Sequence, residues 1–512
     1  MKQVLSKNQA QNLDKITSEY FHIQGKELMR NAGKKVAEVV QKEFSKKNNK
    51  SVLIICGKGN NGGDGFSTAI ELKKKLIDIH IHSLYDKKQY IGDSKYYLDL
   101  CISNKIPITF GIEIGDNDYN HSIIVDAILG IGFRGSIKTG LIPWIKFINK
   151  SKSTIISIDI PTGLNADSGL ACPIAVKSSI TVTMGYEKIG MSFQKGPEYC
   201  GKIKRVDIGF PKGALNSIDN LKWFKFDEKS VSKYINKPDL NTNKFKQGRV
   251  LIVGGSIGMT GAASLCAMGA LRVGAGLTSI VAPMSLNFIF ETKLTEAITI
   301  PVDDEEKGFL FLNHLDQIIE NSERADAIVI GPGLGRNKST KKLIMQLMLE
   351  LEKPVVLDAD GLYPFNGKLD LLNNSKLDLV ITPHFAEMAR LTDSSYNQIS
   401  NEFPRFMNWF MDTYKHSALI KQVPACSFSY NTAIINISGN PGLATAGTGD
   451  ILSGMIGGLL AMGINKENAV PLAAFLHGKA SDRIINSKGF RAQIASDILE
   501  QIPFVIGKYE RI

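Results

Sequence analysis

Short β-branched runs alternate with longer helical stretches along almost the whole chain, and this alternation constrains the fold more than any other feature. Strands separated by a crossover of a dozen or more residues pair in parallel, with a helix packed on the sheet between them. In the first half the runs are "SVLIIC", "DIHIHSLY", "HSIIVDAIL", "STIISIDI" and "SSITVTMG", preceded by a polar helix expected over about residues 8–46. The alternation pauses at "DIGFPKGALNSIDNLKWFKFDEKS", where Pro, Gly and charges replace it. It restarts with "GRVLIVGGS", "LTSIVAP", "DAIVIGPGLG", "KPVVLDADGL", "LDLVITPH", "SALIK" and "AIINISG", followed by a long helix of small residues after Asp450. A chain of 512 residues exceeds one core. The expectation is two α/β domains, residues 1–220 and 221–512, with the boundary near 215–228.

Composition narrows the partners. The net charge of +11 comes from scattered lysines without interleaved aromatics, so solvated faces are expected rather than a nucleic-acid surface. Cys56, Cys101, Cys172, Cys200, Cys266 and Cys426 are far apart with no CxxC pair, as free thiols of a reducing cytoplasm would be. The first residues lack an apolar signal core. The most apolar run, "ILSGMIGGLLAMGI", is broken by glycines and falls short of the ~20 residues a membrane helix needs, so no membrane partner is expected.

"LIICGKGNNGGDGF", residues 53–66, formally satisfies a dinucleotide fingerprint through Gly57, Gly59 and Gly62. Asp64 inside the expected turn opposes that reading, because its carboxylate would repel a pyrophosphate approaching the helix N-terminus. In doubly wound sheets, ligands bind beyond the carboxyl ends of the strands. Asp64, Asp126 and Asp159 all fall at such ends. Asn60 and Asn61 add amide oxygens, Thr162 a hydroxyl, and "GIGFRG" backbone N–H groups and Arg134. Each Asp alone could be a turn or cap residue. Together the oxygens suit a hard cation rather than zinc, beside a phosphate-bearing substrate.

In the second half "GNPGLATAGTGDILSG", residues 439–454, feeds a helix. The N–H groups from Gly447 to Asp450 can form an anion hole, and Asp450 can deprotonate a substrate hydroxyl; a glycine-rich cap with Asp as dipole partner is the alternative.

These motifs carry a resemblance. "GNNGGDG", "DAILGIGFRG", "DIPTGLNADSG", "TVTMGYEKIG" and "VDIGFP" resemble NAD(P)HX epimerases over about residues 8–212. "VGGSIGMTGAA", "IGPGLG" and "LDADGL", with the GTGD element, occur in the order of ribokinase-like folds, and "TPHFAEMARL" resembles ADP- or ATP-dependent NAD(P)HX dehydratases over about 225–505. The whole chain thus resembles the bifunctional NAD(P)H-hydrate repair enzymes. The resemblance implies a Rossmann-like doubly wound N-terminal sheet and a ribokinase-like C-terminal α/β domain.

It also implies roles. In the epimerase half Asp159 would move the proton. Asn60, Asn61, Gly62, Gly63 and Asp64 would face the substrate, with Gly130, Ile131, Gly132, Phe133, Arg134, Gly135 and Ser136. Asn61, Asp126 and Thr162 would hold potassium. Thr162 stands where the family usually has Ser. In the dehydratase half Ala262, Gly333, the run His384, Phe385, Ala386, Glu387, Met388, Ala389 and Arg390, and Asp450 would face the substrate. ADP, with magnesium, would lie against Lys421, Gln422, Val423, Pro424 and Ala425, and against Asn440, Pro441, Gly442, Leu443, Ala444, Thr445, Ala446, Gly447, Thr448 and Gly449. The substrates implied are NADHX and NADPHX, and a homo-oligomer is expected. "KQVPACSF" departs from the family: Gln422 replaces a flexible glycine and Pro424 removes a donor. A vitamin or sugar kinase fused to a nucleotide-binding domain, or an epimerase with a weakened dehydratase half, are the competing readings.

Overall fold

The computed structural model describes residues 1–46, 51–114, 121–133, 135–235 and 237–510. The chain forms two compact units, one of residues 3–221 and one of residues 222–512 with Met1 and Lys2.

The first unit opens with β1 (Lys2–Leu5), α1 (Lys7–Glu19) and α2 (Gly25–Phe44). The single helix expected over 8–46 is therefore two. The break falls at residues 20–24, where His22 has a φ of 56° that cannot continue a helix, and Gly25 opens the second helix. Ser6 caps α1 through a reciprocal pair of bonds with Gln9, at 3.2 and 2.9 Å, so the start of α1 is locally specified.

The sheet that follows contains β2 (Val52–Cys56), β3 (Ile79–Ser83), β4 (Ile108–Phe110), β5 (Ile123–Ala127), β6 (Thr154–Ile158), β7 (Ile180–Met184) and β9 (Lys202–Val206) in the order β4-β3-β2-β5-β6-β7-β9, every pair parallel. The two-residue β8 (Glu187–Lys188) pairs instead with β1. β2 and β5 are buried along their whole length, as strands covered by helices on both faces must be. Strand order reverses at β2, which places the crevice of the doubly wound fold between the ends of β2 and β5, where α3 (Asn60–Lys74) begins. Gly57, just past the end of β2, packs tightly beside it. A Cβ there would lie 1.9 Å from the Ile128 carbonyl oxygen, and one on Gly62 would lie 1.8 Å from that of Gly57.

The second unit carries β11 (Arg249–Val253), β12 (Leu277–Pro283), β13 (Ile298–Val302), β14 (Ala327–Ile330), β15 (Val355–Leu357), β16 (Leu379–Ile381) and β17 (Ser417–Ile420), ordered β13-β12-β11-β14-β15-β16-β17 and parallel throughout. An antiparallel turn-back through β18 (Cys426–Ser429) and β19 (Thr432–Ile435) follows, and β10 (Trp223–Lys225) pairs with β19 in parallel. The altered "KQVPACSF" stretch is the β17–β18 hairpin.

The small-residue run forms a helix, Thr448–Ala461, that begins two residues before Asp450. It lies against the helix Thr260–Val273 so closely that a Cβ on Gly454 would meet the Cys266 carbonyl oxygen at 1.9 Å, and one on Gly269 that of Ile451 at 2.4 Å. Small residues there serve backbone approach in a buried core. None of the described helices is long and apolar enough to cross a membrane. Among the described residues no disulfide joins any of the six cysteines.

Candidate active sites

The crevice of the first unit opens into a cavity of about 830 Å³. Asn60, Asn61 and Asp64 reach it from the start of α3. Gly130, Ile131, Gly132, Phe133 and Ser136 reach it from beyond β5, and Asp159 from beyond β6. Asp64 is the fifth residue of α3 rather than part of a turn, because the helix already begins at Asn60. Gly62 and Gly63 do not line the cavity. Gly62 packs on the Gly57 carbonyl and Gly63 against Met29 of α2, so both serve helix seating rather than substrate contact. Gly135 lies outside the lining, and Arg134 falls outside the described residues.

Asp126 and Thr162 lock together. The Thr162 N–H and hydroxyl donate to the two Asp126 oxygens at 2.9 and 2.7 Å, Ser157 donates at 2.7 Å from the neighbouring strand, and the Ile128 N–H at 3.3 Å. Burial nevertheless pushes the Asp126 carboxyl above its usual range, against these donors. The Asn61 Oδ1 lies beside Gly130, while its Nδ2 is buried without a partner. This is an all-oxygen set around a buried carboxylate. Among the described residues no group of three His, Cys, Asp or Glu could hold a metal.

Asp159 adopts φ 63°, a left-handed conformation that costs a non-glycine residue on the order of 1–3 kcal/mol. Its carboxylate accepts from the Met184 N–H at 3.2 Å and the Thr183 hydroxyl at 3.4 Å, and forms an ion pair with Lys188, which is 2% exposed. The Lys188 ammonium also donates to Thr183 at 2.8 Å. Asp14, on α1, lines the same cavity. Asp14 opens onto the cavity, yet the surrounding protein thins its water. Burial first, then the charge of Asp159, outweigh Lys188 and raise it to about 6. Burial, with Asp159 and Asp14, also holds Asp64 well above the carboxylate range. Sequence reading missed Asp14 and Lys188. The only trace of Lys188 was its place inside "TVTMGYEKIG".

In the second unit the strand order reverses at β11, and the segments after β11 and β14 meet there. A Cβ on Gly333, φ 66°, would lie 2.4 Å from the Met259 carbonyl and 3.2 Å from Ala262, so these two expected substrate residues are neighbours. Gly447, φ 88°, caps the helix Thr448–Ala461, and Thr448, Gly449 and Asp450 are its first three residues, whose N–H groups have no intrahelical acceptor. Asp450 is raised to about 6 by burial and by Asp358, against Lys421, with smaller contributions from Asp360 and Glu387. Lys421 Nζ sits 2.5 Å from Asp358, which is 2% exposed, and close over Gly449. Burial would lower Lys421, but Asp358, Glu387 and Asp450 outweigh it and hold the ammonium above its usual range.

Beside this helix start a cavity of about 250 Å³ is lined by Lys421, Gln422, Val423, Ala425, Leu443, Ala444, Thr448 and Gly449 of the expected nucleotide set. Pro424, Asn440, Pro441, Gly442, Thr445, Ala446 and Gly447 do not line it. Asn440 is buried in a polar network: it donates to Ser481 at 2.8 Å and Asp482 at 3.1 Å, and accepts from the Gly442 N–H at 2.9 Å. It shapes the loop from behind. His477, which the sequence reading missed, also lines the cavity. Burial and Lys421 lower it to about 4, and it is neutral at pH 7.

The run His384–Arg390 does not face one way. His384 caps the helix Phe385–Leu391, its Nδ1 accepting from the Ala386 and Glu387 N–H groups, while Glu387 accepts from the His384 N–H at 3.0 Å. Met388 and Ala389 are buried, and Phe385 stacks among Phe403 and Tyr396. A helix turn presents only one face, so these three side chains serve packing.

Two α/β units, the first Rossmann-like and doubly wound, the second ribokinase-like with a carboxylate at a glycine-capped helix start, define a two-domain enzyme class. Family models match both: residues 25–190 fit "YjeF-related protein N-terminus" and residues 250–504 fit "NAD(P)H-hydrate dehydratase". The Moorella thermoacetica protein named bifunctional NAD(P)H-hydrate repair enzyme Nnr is 32% identical over 97% of this chain and 95% of its own. Its Dictyoglomus turgidum namesake is 33% identical over 94% of each. A solved Bacillus subtilis structure, an ADP/ATP-dependent NAD(P)H-hydrate dehydratase co-crystallised with ATP/Mg2+, is 25% identical with a TM-score of 0.49, covering 56% of this chain and 99% of that one. The chain belongs to the family of bifunctional NAD(P)H-hydrate repair enzymes.

Proposed function

We propose that residues 1–220 interconvert the R and S epimers of hydrated NADH and NADPH, and that residues 221–512 dehydrate the S epimer at the expense of ADP. One observation carries this reading: each unit keeps its carboxylate, Asp159 or Asp450, beside an intact glycine-rich loop.

In the hydrate the nicotinamide C6 bears a hydroxyl next to the ring nitrogen, so its configuration is lost when the C6–O bond breaks with the help of the nitrogen lone pair and is regained when it re-forms, each step with a proton transfer. We assign a proton transfer to Asp159, which is held by Lys188 and Met184. Asn61, Asp126 and Thr162 fit potassium through their oxygens, and the ion would neutralise the Asp126 charge and orient the Asn61 amide.

In the second unit Asp450 takes the proton of the C6 hydroxyl, whose oxygen then accepts the terminal phosphoryl group of ADP. The N–H groups at Gly447–Asp450 stabilise the charge on that group. A hydroxyl leaves poorly and a phosphate leaves well, so loss of phosphate and of a C5 proton restores the ring double bond. Magnesium accompanying the nucleotide would shield its phosphates. The reading places the protein in the cytoplasm, as a homo-oligomer.

The test is to supply mixed hydrate epimers with ADP and follow dihydronicotinamide return by absorbance. Complete return supports both activities. No return, with phosphorylation of a vitamin or sugar alcohol instead, would leave the kinase reading standing.

A further inference from the structure

We propose that Asp14, on α1, is the second acid–base group of the first cavity and shares one proton with Asp159; this rests on the epimerase reading. Ala10, Leu13, Ile16 and Thr17 bury one side of α1 and fix the helix, and Asp14 stands beside them on the cavity wall. Among the described residues its carboxyl has no hydrogen-bond partner, whereas Asp159 is engaged by Lys188, Thr183 and Met184. The charged groups that face it are Asp159 from the end of β6, Lys188 from β8 and Asp64 from α3. Lys15 on its own helix lines the same wall, with Lys58, Asp93, Lys138 and the phenols of Tyr85 and Tyr186.

Inversion at C6 requires a bond to break on one face and form on the other, and one carboxylate serves one face. In the forward direction the Asp14 carboxyl gives its proton to the C6 hydroxyl. The C6–O bond breaks with its electron pair departing as water, and the ring nitrogen lone pair closes an N1=C6 double bond. Water then adds to the opposite face, the N1=C6 pair returns to nitrogen, and the added water's surplus proton passes to the Asp159 carboxylate. The reverse direction exchanges the two roles, so the pair must carry one proton between them. Burial and the neighbouring Asp159 charge favour that proton on Asp14.

The test uses the full chain without ADP. Pure R epimer is supplied, S epimer is quantified by chromatography across about pH 5 to 8, and the enzyme-free rate is subtracted. The parent rate should fall roughly tenfold per pH unit above about 6, as Asp14 loses its proton. Asp14→Asn should lower the rate on the order of 10²-fold or more and abolish that limb. ADP-dependent conversion of S epimer should stay at the parent rate and report an intact chain. Asp14→Asn with the parent rate and the parent limb overturns the inference. Where Asp14→Asn does not fold, Asp14→Glu decides: a displaced limb supports the role, an unmoved one overturns it. A parent chain that shows no epimerisation refutes the epimerase reading itself, an outcome distinct from a parent that epimerises and a variant that epimerises equally.

Discussion

At the scale of single residues, the two sites differ in how their carboxylates are held. Asp159 is held by an ion pair, whereas Asp450 stands at a helix start among Asp358, Asp360 and Glu387 with Lys421 as counter-charge. Asp159→Asn should lower epimerisation by roughly 10²- to 10⁴-fold and leave dehydration of the S epimer unchanged, measured on separated epimers. Asp450 must be ionised to act as a base. Its raised value therefore moves the acid limb of dehydration up from the usual carboxylate range to about 6, and Asp450→Asn should remove turnover at every pH. A pH profile of the ADP-dependent rate checks both statements. Asp159 and Asp450 stood out in the sequence as candidates because the first follows a strand and the second follows a glycine-rich loop. Asp14 and Lys188 were not, since a helix residue and a two-residue strand reach the cavity only through tertiary packing.

At the scale of elements, the core strands announced themselves by continuous β-branched runs. β4 and β18 did not, being short or lying at the sheet edge or in the antiparallel return, and β13 went unread although Ile298, Thr299, Ile300 and Val302 are β-branched. His384 and Glu387 illustrate a second limit, because a capping box and a substrate contact use the same residue types at the same spacing. The β17–β18 hairpin yields a test. Gln422 lines the smaller cavity of the second unit with its Nε2 buried and unpartnered. Gln422→Gly removes that unpartnered amide from the cavity wall and frees the close approach. Its effect is ~0.5 to 1.5 kcal/mol, so the KM for ADP should fall a few-fold to tenfold with kcat nearly unchanged. Gly62→Ala should act on folding instead. Its methyl group would strike the Gly57 carbonyl, at a cost of about 3 kcal/mol, and the first unit should melt earlier in calorimetry.

At the scale of the whole molecule, two compact units each carry one site, so the reactions are separable by mutation. Asp159→Asn and Asp450→Asn chains, each unable to convert the R epimer alone with ADP, should together restore conversion when mixed, because the S epimer made by one is free to reach the other. Mixing that restores nothing would mean that the S epimer does not pass through solution. One feature of the first unit bears on how such a protein could diversify. Where β2 ends, the Gly57 backbone lies against the Ile128 carbonyl, and Gly62 against that of Gly57, so peptide groups set the spacing there. Side-chain substitution there has nothing to trim, and any side chain added would strike a carbonyl. A change of ligand must come instead from the residues that line the cavity, Asn60, Phe133 and Ser136 among them.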